Sequence, residues 1–251
     1  MSEAARSVGG GATTGTGQVP QAAEGGAEAL ATQLIRRVLQ ASEDLDPLSI
    51  QAQLDLAAKV LGLAGCVDEL LLPATRQLHQ LLAAGQRDVA QDRMAAEAIR
   101  AWLNHRVAFA PPPEEIGPIL LACGPRDRDT IALESLALLL RFQRWPCRVL
   151  GALVPTFTLK VAAQAADAAG VVVISTERRN QRQAIVSLRA VAAMGIPVFF
   201  AGDAFESEHV RMGLPGRYLG TPIEGACSLL IGALAPAAGS AVADHPGSDF
   251  R

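Results

Sequence analysis

From residue 116 onward the chain repeats one pattern, a short apolar run followed by an amphipathic segment, and few folds accept it. The runs lie at 119–123, 147–153, 171–174 and 198–201, with a fainter one at 217–220. Each has the length and aliphatic character of a buried strand. Helical spacing follows near 130–143, 156–168, 181–194, 204–212 and 222–234. In the first of these segments Leu133, Leu136 and Leu140 share a face. Strands separated by helices read as a parallel sheet with right-handed crossovers and helices on both faces. The prediction is a flavodoxin-like (Rossmann-like), doubly wound, five-stranded α/β sheet over 116–234 with strand order 2-1-3-4-5. In such sheets ligands lie at the carboxyl ends of the strands. The charged turn after the first run, Arg126, Asp127, Arg128 and Asp129, is therefore where chemistry belongs.

The preceding stretch has a different period. Over 27–108 the apolar residues recur at helical spacing, with Leu30, Leu34, Ile35 and Val38 in one stripe. Asp46 and Pro47 read as an N-cap and first helical residue, and Gly62 and Gly65 close that second helix. A third helix runs from Val67 to Leu82 and ends at Gly85. A fourth spans Val89 to Leu103, with Met94, Ala98 and Trp102 inward. Short connections between four helices predict a bundle. The prolines within 109–115 make a stiff linker to the sheet. Residues 1–26 and 235–251 hold too few large apolar side chains to offset the entropy of ordering and read as disordered tails, His245 being solvated.

Composition narrows the function. Of 251 residues, 50% are hydrophobic and 19% charged, enough for two modest cores. The formal net charge of −3 leaves no basic footprint for nucleic acid. Four scattered cysteines, Cys66, Cys123, Cys147 and Cys227, lack metal-ligand spacing and read as free thiols in a reducing compartment. No basic region precedes an apolar stretch at the start, and no run reaches membrane-spanning length. The expected setting is cytoplasmic, without membrane partners. Gly124 and Pro125 form no phosphate-loop motif.

Several stretches, in order and spacing, carry a resemblance. They are the turn 124–131, the segment from Val149 to Leu159, then Ile174, Ser175 and Thr176, then the run from Phe200 to Phe205, and Tyr218 to Thr221. Together they resemble the cobalamin-binding module of MerR-type light- and cobalamin-responsive transcriptional regulators and of methionine synthase, over about residues 45 to 234. The resemblance implies a cleft between bundle and sheet. It also implies a turn of the form Asp/Glu-x-His-x-x-Gly, whose His is the lower axial ligand of cobalt. Those three positions fall on Arg126, Arg128 and Ile131, and no His lies between His105 and His209. An arginine keeps its proton and has no lone pair for a metal. The Ser that meets the nucleotide tail falls on Ser175, and of a Gly-Gly pair only Gly202 remains. On the bundle, a Trp and a Glu-His pair that cover the upper face fall on Leu82, Asp92 and Arg93.

The expected ligand-binding cleft therefore comprises Leu82, Asp92, Arg93, Arg126, Asp127, Arg128, Asp129, Ser175 and Gly202, with no metal ligand and no cofactor. Arg178 and Arg179 follow the third strand on the same edge. Convergent guanidinium groups suit carboxylate or phosphate; the alternative is that they pair with Asp92, Asp127, Asp129 and Glu177. The regulators carry a DNA-binding domain ahead of the bundle, for which this chain has no matching segment, so direct DNA binding is not expected. The expectation is a homodimeric regulatory or ligand-binding protein acting through a small anion or a protein partner. The alternatives are an enzyme built around Asp92, Arg93, Asp127 and Asp129 in the vacated corrinoid cleft, or a haem sensor using His79 or His105.

Overall fold

The structure is a computed structural model that describes residues 21–114 and 116–235. Most of both expected tails, His245 among them, and Glu115 of the linker lie outside the described residues. Helix α1 (Gln21–Glu43) begins inside the segment expected to be unstructured. It is followed by α2 (Pro47–Gly65), a π-helical turn (Cys66–Leu71), α3 (Leu72–Ala83) and α4 (Val89–Val107). Asp46 caps α2 by accepting from the Ser49 amide at 3.0 Å. Asp88 and Gln91 form a capping box at the start of α4. Gly62, at φ +76°, breaks α2, as its position near the end of the periodic stretch predicts. The wide π turn precedes Pro73, whose ring nitrogen has no hydrogen to return to the preceding turn.

The sheet comprises β1 (Ile119–Cys123), β2 (Cys147–Gly151), β3 (Gly170–Ile174), β4 (Val198–Ala201) and β5 (Arg217–Tyr218). All pairs are parallel and the order is β2-β1-β3-β4-β5, the flavodoxin-like order. Between the strands run α5 (Ile131–Phe142), α6 (Thr156–Ala165), α7 (Gln181–Ala192) and the single turn α8 (Glu208–Arg211), and α9 (Ile223–Leu234) follows β5. β2 stops short of residue 153 because Gly151 and Leu153 both take positive φ, +84° and +54°, which ends strand geometry.

The period-two alternation of the strands sorts the core into two layers. Ile119, Leu121, Cys123, Val172 and Ile174 face α5 and α9. Leu120, Ala122, Val171 and Val173 face α6 and α7. Helix α5 is buried on nearly every side because it serves two cores. Leu133, Leu136 and Leu140 pack on the sheet, while Ile131 and Leu138 enter the bundle core beside Leu70, Ile99 and Trp102. Val67 of the π turn makes the reverse crossing into the sheet core. The π turn also supplies a polar joint: Asp68 accepts from the amides of Ile223 and Glu224 at 2.7 and 3.0 Å. A residue of the bundle thus caps α9, whose own N-cap position is a proline with no side-chain acceptor. No helix among the described residues is long and apolar enough to cross a membrane.

Candidate functional site

The turn after β1 alternates in and out. Arg126 and Arg128 are exposed, Asp127 is 1% exposed, and Asp129 is partly covered. Asp127 ties three loops together. Its carboxylate accepts from Ser175 Oγ at 2.8 Å and from Asn180 Nδ2 at 3.1 Å, both after β3. Its carbonyl accepts from the Leu153 amide, after β2, at 2.9 Å. Gly124 is required here, since a Cβ would lie 2.4 Å from Asp127 Oδ2. Asp129 accepts from the Ile131 amide at 3.0 Å at the start of α5. The outward pair of arginines is therefore presented by a turn whose inward pair is fixed.

Between bundle and sheet lies a cleft of about 1160 Å³. Of the predicted residues, Leu82, Asp92, Arg93, Arg128, Asp129 and Gly202 line it. Three do not. Ser175 and Asp127 are buried and spend their polar atoms on each other. Arg126 points past the cleft into an adjoining hollow of about 400 Å³, shared with Arg128, Leu153, Arg179 and Asn180. The inward position of Asp127 also removes it from the acid–base cluster considered with Asp92 and Asp129. Arg178 is turned away and pairs with Glu206 at 2.9 Å, whereas Arg179 lines the cleft and pairs with Glu177.

The bundle wall adds groups that sequence spacing did not single out. Arg76 and Arg100 line the cleft from α3 and α4. Arg100 is committed, with Nη1 2.7 Å from Glu97 and Nε donating to Thr130 at 3.3 Å. His79 sits between the walls, 3.9 Å from Asp92 and 4.0 Å from Asp129. His105 is exposed at the end of α4, stacked edge-on against Phe109, and lines no part of the cleft. Arg93 and Arg128, the central pair, form no ion pair among the described residues. Of the alternative pairings of these arginines with Asp92, Asp127, Asp129 and Glu177, only Arg179 with Glu177 forms among the described residues.

The positions that the resemblance assigns to a corrinoid carry other side chains or are engaged within the protein. Arg128 stands where the resemblance puts the axial His, and an arginine cannot ligate a metal. The Ser175 hydroxyl is consumed by Asp127. Ile131 is 1% exposed and part of the bundle core. Gly202, at φ +102°, answers to its own backbone, because a Cβ there would stand 2.2 Å from the Ser175 carbonyl oxygen. Each position that the resemblance assigns to the nucleotide tail is used internally. No group of three or more His, Cys, Asp or Glu among the described residues could hold a metal ion.

The cysteines offer no nucleophile. All four are free, and burial pushes the thiols of Cys66, Cys123 and Cys147 up to about 12 and that of Cys227 up to about 11. The thiolate is the reactive form.

No protein-family model and no curated protein matches this chain. Solved structures do. The monomethylamine corrinoid protein of Methanosarcina barkeri superposes with a TM-score of 0.64 at 9% identity, over 80% of this chain and 99% of its own. A cobalamin-binding protein from Desulfitobacterium hafniense DCB-2 gives a TM-score of 0.42 at 16% identity, over 84% of this chain and 98% of its own. The methanol:cobalamin methyltransferase complex MtaBC of M. barkeri gives 0.42 at 18%, over 84% of each chain. At 9% identity the first likeness is one of fold: this chain has the helical-bundle and Rossmann-like architecture of a corrinoid protein.

Proposed function

We propose that this chain is a regulatory, ligand-binding module that keeps the corrinoid-protein architecture and takes a small anion in the cleft instead of a corrinoid. The observation that carries the reading is the pair Arg128 and Arg93, one on each wall, both without an ion-pair partner among the described residues. A guanidinium presents a fork that matches carboxylate or phosphate, and each such contact is worth on the order of 1.5–3 kcal/mol. A ligand that touches both walls draws the bundle onto the sheet, and that closure is the signal. The module acts in the cytoplasm as a homodimer, without reading DNA itself.

The test is a thermal-shift screen of carboxylates, nucleotides and phosphates on wild type and Arg128→Ala. A protecting anion should lose roughly ten- to a hundredfold in affinity in the variant, whose unliganded melting temperature should stay close to wild type. No protection by any anion, together with a destabilised Arg128→Ala, would end this reading and favour a protein-partner surface.

A tetrapyrrole reading has one observation behind it, the placement of His79 in the cleft. Both of its ring nitrogens face carboxylates, which ligation would have to displace. The absorption spectrum of purified protein mixed with hydroxocobalamin or haem and then desalted decides it. On the anion reading the eluted protein is colourless.

A further inference from the structure

The hollow beside the cleft differs from it in charge. The cleft mixes five arginines with six carboxylates, whereas three of the five residues around the hollow are Arg126, Arg128 and Arg179, and no carboxylate lines it. Arg126 and Arg128 form no ion pair among the described residues. Arg179 is paired with Glu177 through Nε.

Topology explains why the hollow exists. β1 and β3 are neighbours, but the chain leaves β1 toward α5 on one face and leaves β3 toward α7 on the other. Their loops diverge, and the gap between them is the switch point at which doubly wound sheets bind ligands. Asp127 spans that gap from beneath, holding the loops after β2 and β3 to the turn after β1. The arginines are thus mounted on one hydrogen-bonded unit. Helix α7 starts at the rim. Its N-cap, Asn180, gives its side chain to Asp127, so no side chain caps this 12-residue helix, and the Gln181 amide donates to the Arg178 carbonyl of the preceding turn. A helix N-terminus favours negative charge.

We infer that this hollow is a phosphate-binding subsite, which takes the terminal phosphoryl group of a small molecule whose remainder lies in the larger cleft. The inference rests on the anion reading of the cleft. Arg128 and Arg179 line both spaces and so join them. Arg126 belongs to the hollow alone and Arg93 to the cleft alone. Three guanidinium groups match a phosphoryl dianion, whose three oxygens accept more hydrogen bonds than a carboxylate can.

The probe is inorganic phosphate, added at constant ionic strength held with potassium chloride, with affinity read from the melting temperature. Wild type should be stabilised in a saturable manner. Arg126→Ala should weaken phosphate roughly tenfold or more, and Arg126→Lys, which keeps the charge but not the fork, should fall between. Arg178→Ala, which removes a nearby cation that lines neither space, should bind phosphate as wild type does, and Arg93→Ala should weaken phosphate less than Arg126→Ala does. If Arg126→Ala does not fold, the lysine variant carries the test. Phosphate protection that survives both Arg126 substitutions, or that disappears in Arg93→Ala, places the anion in the cleft; it overturns the subsite and leaves the anion reading standing. Absence of any phosphate effect on wild type also overturns the subsite, while a carboxylate that protects through Arg93 and Arg128 would still support the cleft.

Discussion

The two walls of the cleft are built by different means. The sheet wall is made of loops, and irregular backbone has to be held by specific polar bonds, here Asp127 to Ser175, Asn180 and the Leu153 amide. The bundle wall is made of helices α3 and α4, which satisfy their own backbone and display Arg76, His79 and Arg93 from their surfaces. What fixes that wall is packing of the opposite face, where Leu78, Ala95, Ile99 and Trp102 are buried. A side chain on a helix can be exchanged with little effect on its neighbours. A side chain in a fixed turn cannot, unless it is one of those that point outward.

That contrast is best broken with glycine. Gly202 and Gly85 both have positive φ, +102° on the sheet wall and +67° in the turn between α3 and α4. A Cβ at Gly202 would meet the Ser175 carbonyl at 2.2 Å, while one at Gly85 would meet nothing within 4 Å. Gly202→Ala should lose about 3 kcal/mol or more in urea denaturation, and Gly85→Ala only about 1 kcal/mol. Equal losses would mean that the sheet wall can shift as freely as the bundle.

Asp127→Ala should come next, at about 2–3 kcal/mol, because it strands the Ser175 hydroxyl and the Asn180 amide in the interior. Asp92→Ala, the bundle-wall counterpart, should stay within about 0.5 kcal/mol, since its contact with the half-exposed His79 is long, at 3.9 Å.

Thiol titration compares the two cores beneath the walls. Cys66 lies in the bundle and Cys123 under the sheet wall, both pushed from 9.0 to about 12 by burial. A raised pKa means the native state keeps a proton that the unfolded chain gives up. The stabilisation is full below pH 9 and is lost as pH climbs toward 12. By pH 10 each thiol should have withdrawn roughly 1.4 kcal/mol, so Cys66→Ala and Cys123→Ala should each flatten the alkaline decline by that amount. A variant that declines as steeply as wild type would show that its thiol is not buried in solution.

Asp68→Ala should remove about 1 kcal/mol, the ordinary worth of an N-cap. In urea it should also let Cys66 react with a thiol reagent at a lower concentration than Cys123. In wild type the two should become reactive together, because Val67, Ile131 and Leu138 interleave the cores. The smallest effect belongs to Arg128→Ala without ligand, within about 0.5 kcal/mol; a larger loss would make Arg128 part of the turn's scaffold.

The sequence disclosed the fold because hydrophobic period is a local property. The strands, α5 with its Leu133, Leu136 and Leu140 face, and the Asp46 cap can be read within a dozen residues. Alternation of strand and helix then leaves few topologies. The resemblance named Leu82, Asp92, Arg93, Arg128 and Gly202 of the cleft, and Asp129 came from its place in the charged turn after the first strand. The failures are all long-range. Asp127 meets Ser175 48 residues away, and nothing local marks which of two acidic residues in one turn will face inward. Arg76 and Arg100 line the cleft only because of how the bundle lies over α5.

The cap that Asp68 provides to α9 also orders events in time. Donor and acceptor are 155 residues apart, so the bond cannot form until nearly the whole chain has been gathered. The entropy of closing so long a loop opposes it early. Docking of the last helix should therefore follow the main barrier to folding, and Asp68→Ala should speed unfolding while leaving the folding rate almost unchanged. In a chain emerging from the ribosome the π-turn carboxylate would stay open to water until α9 arrives.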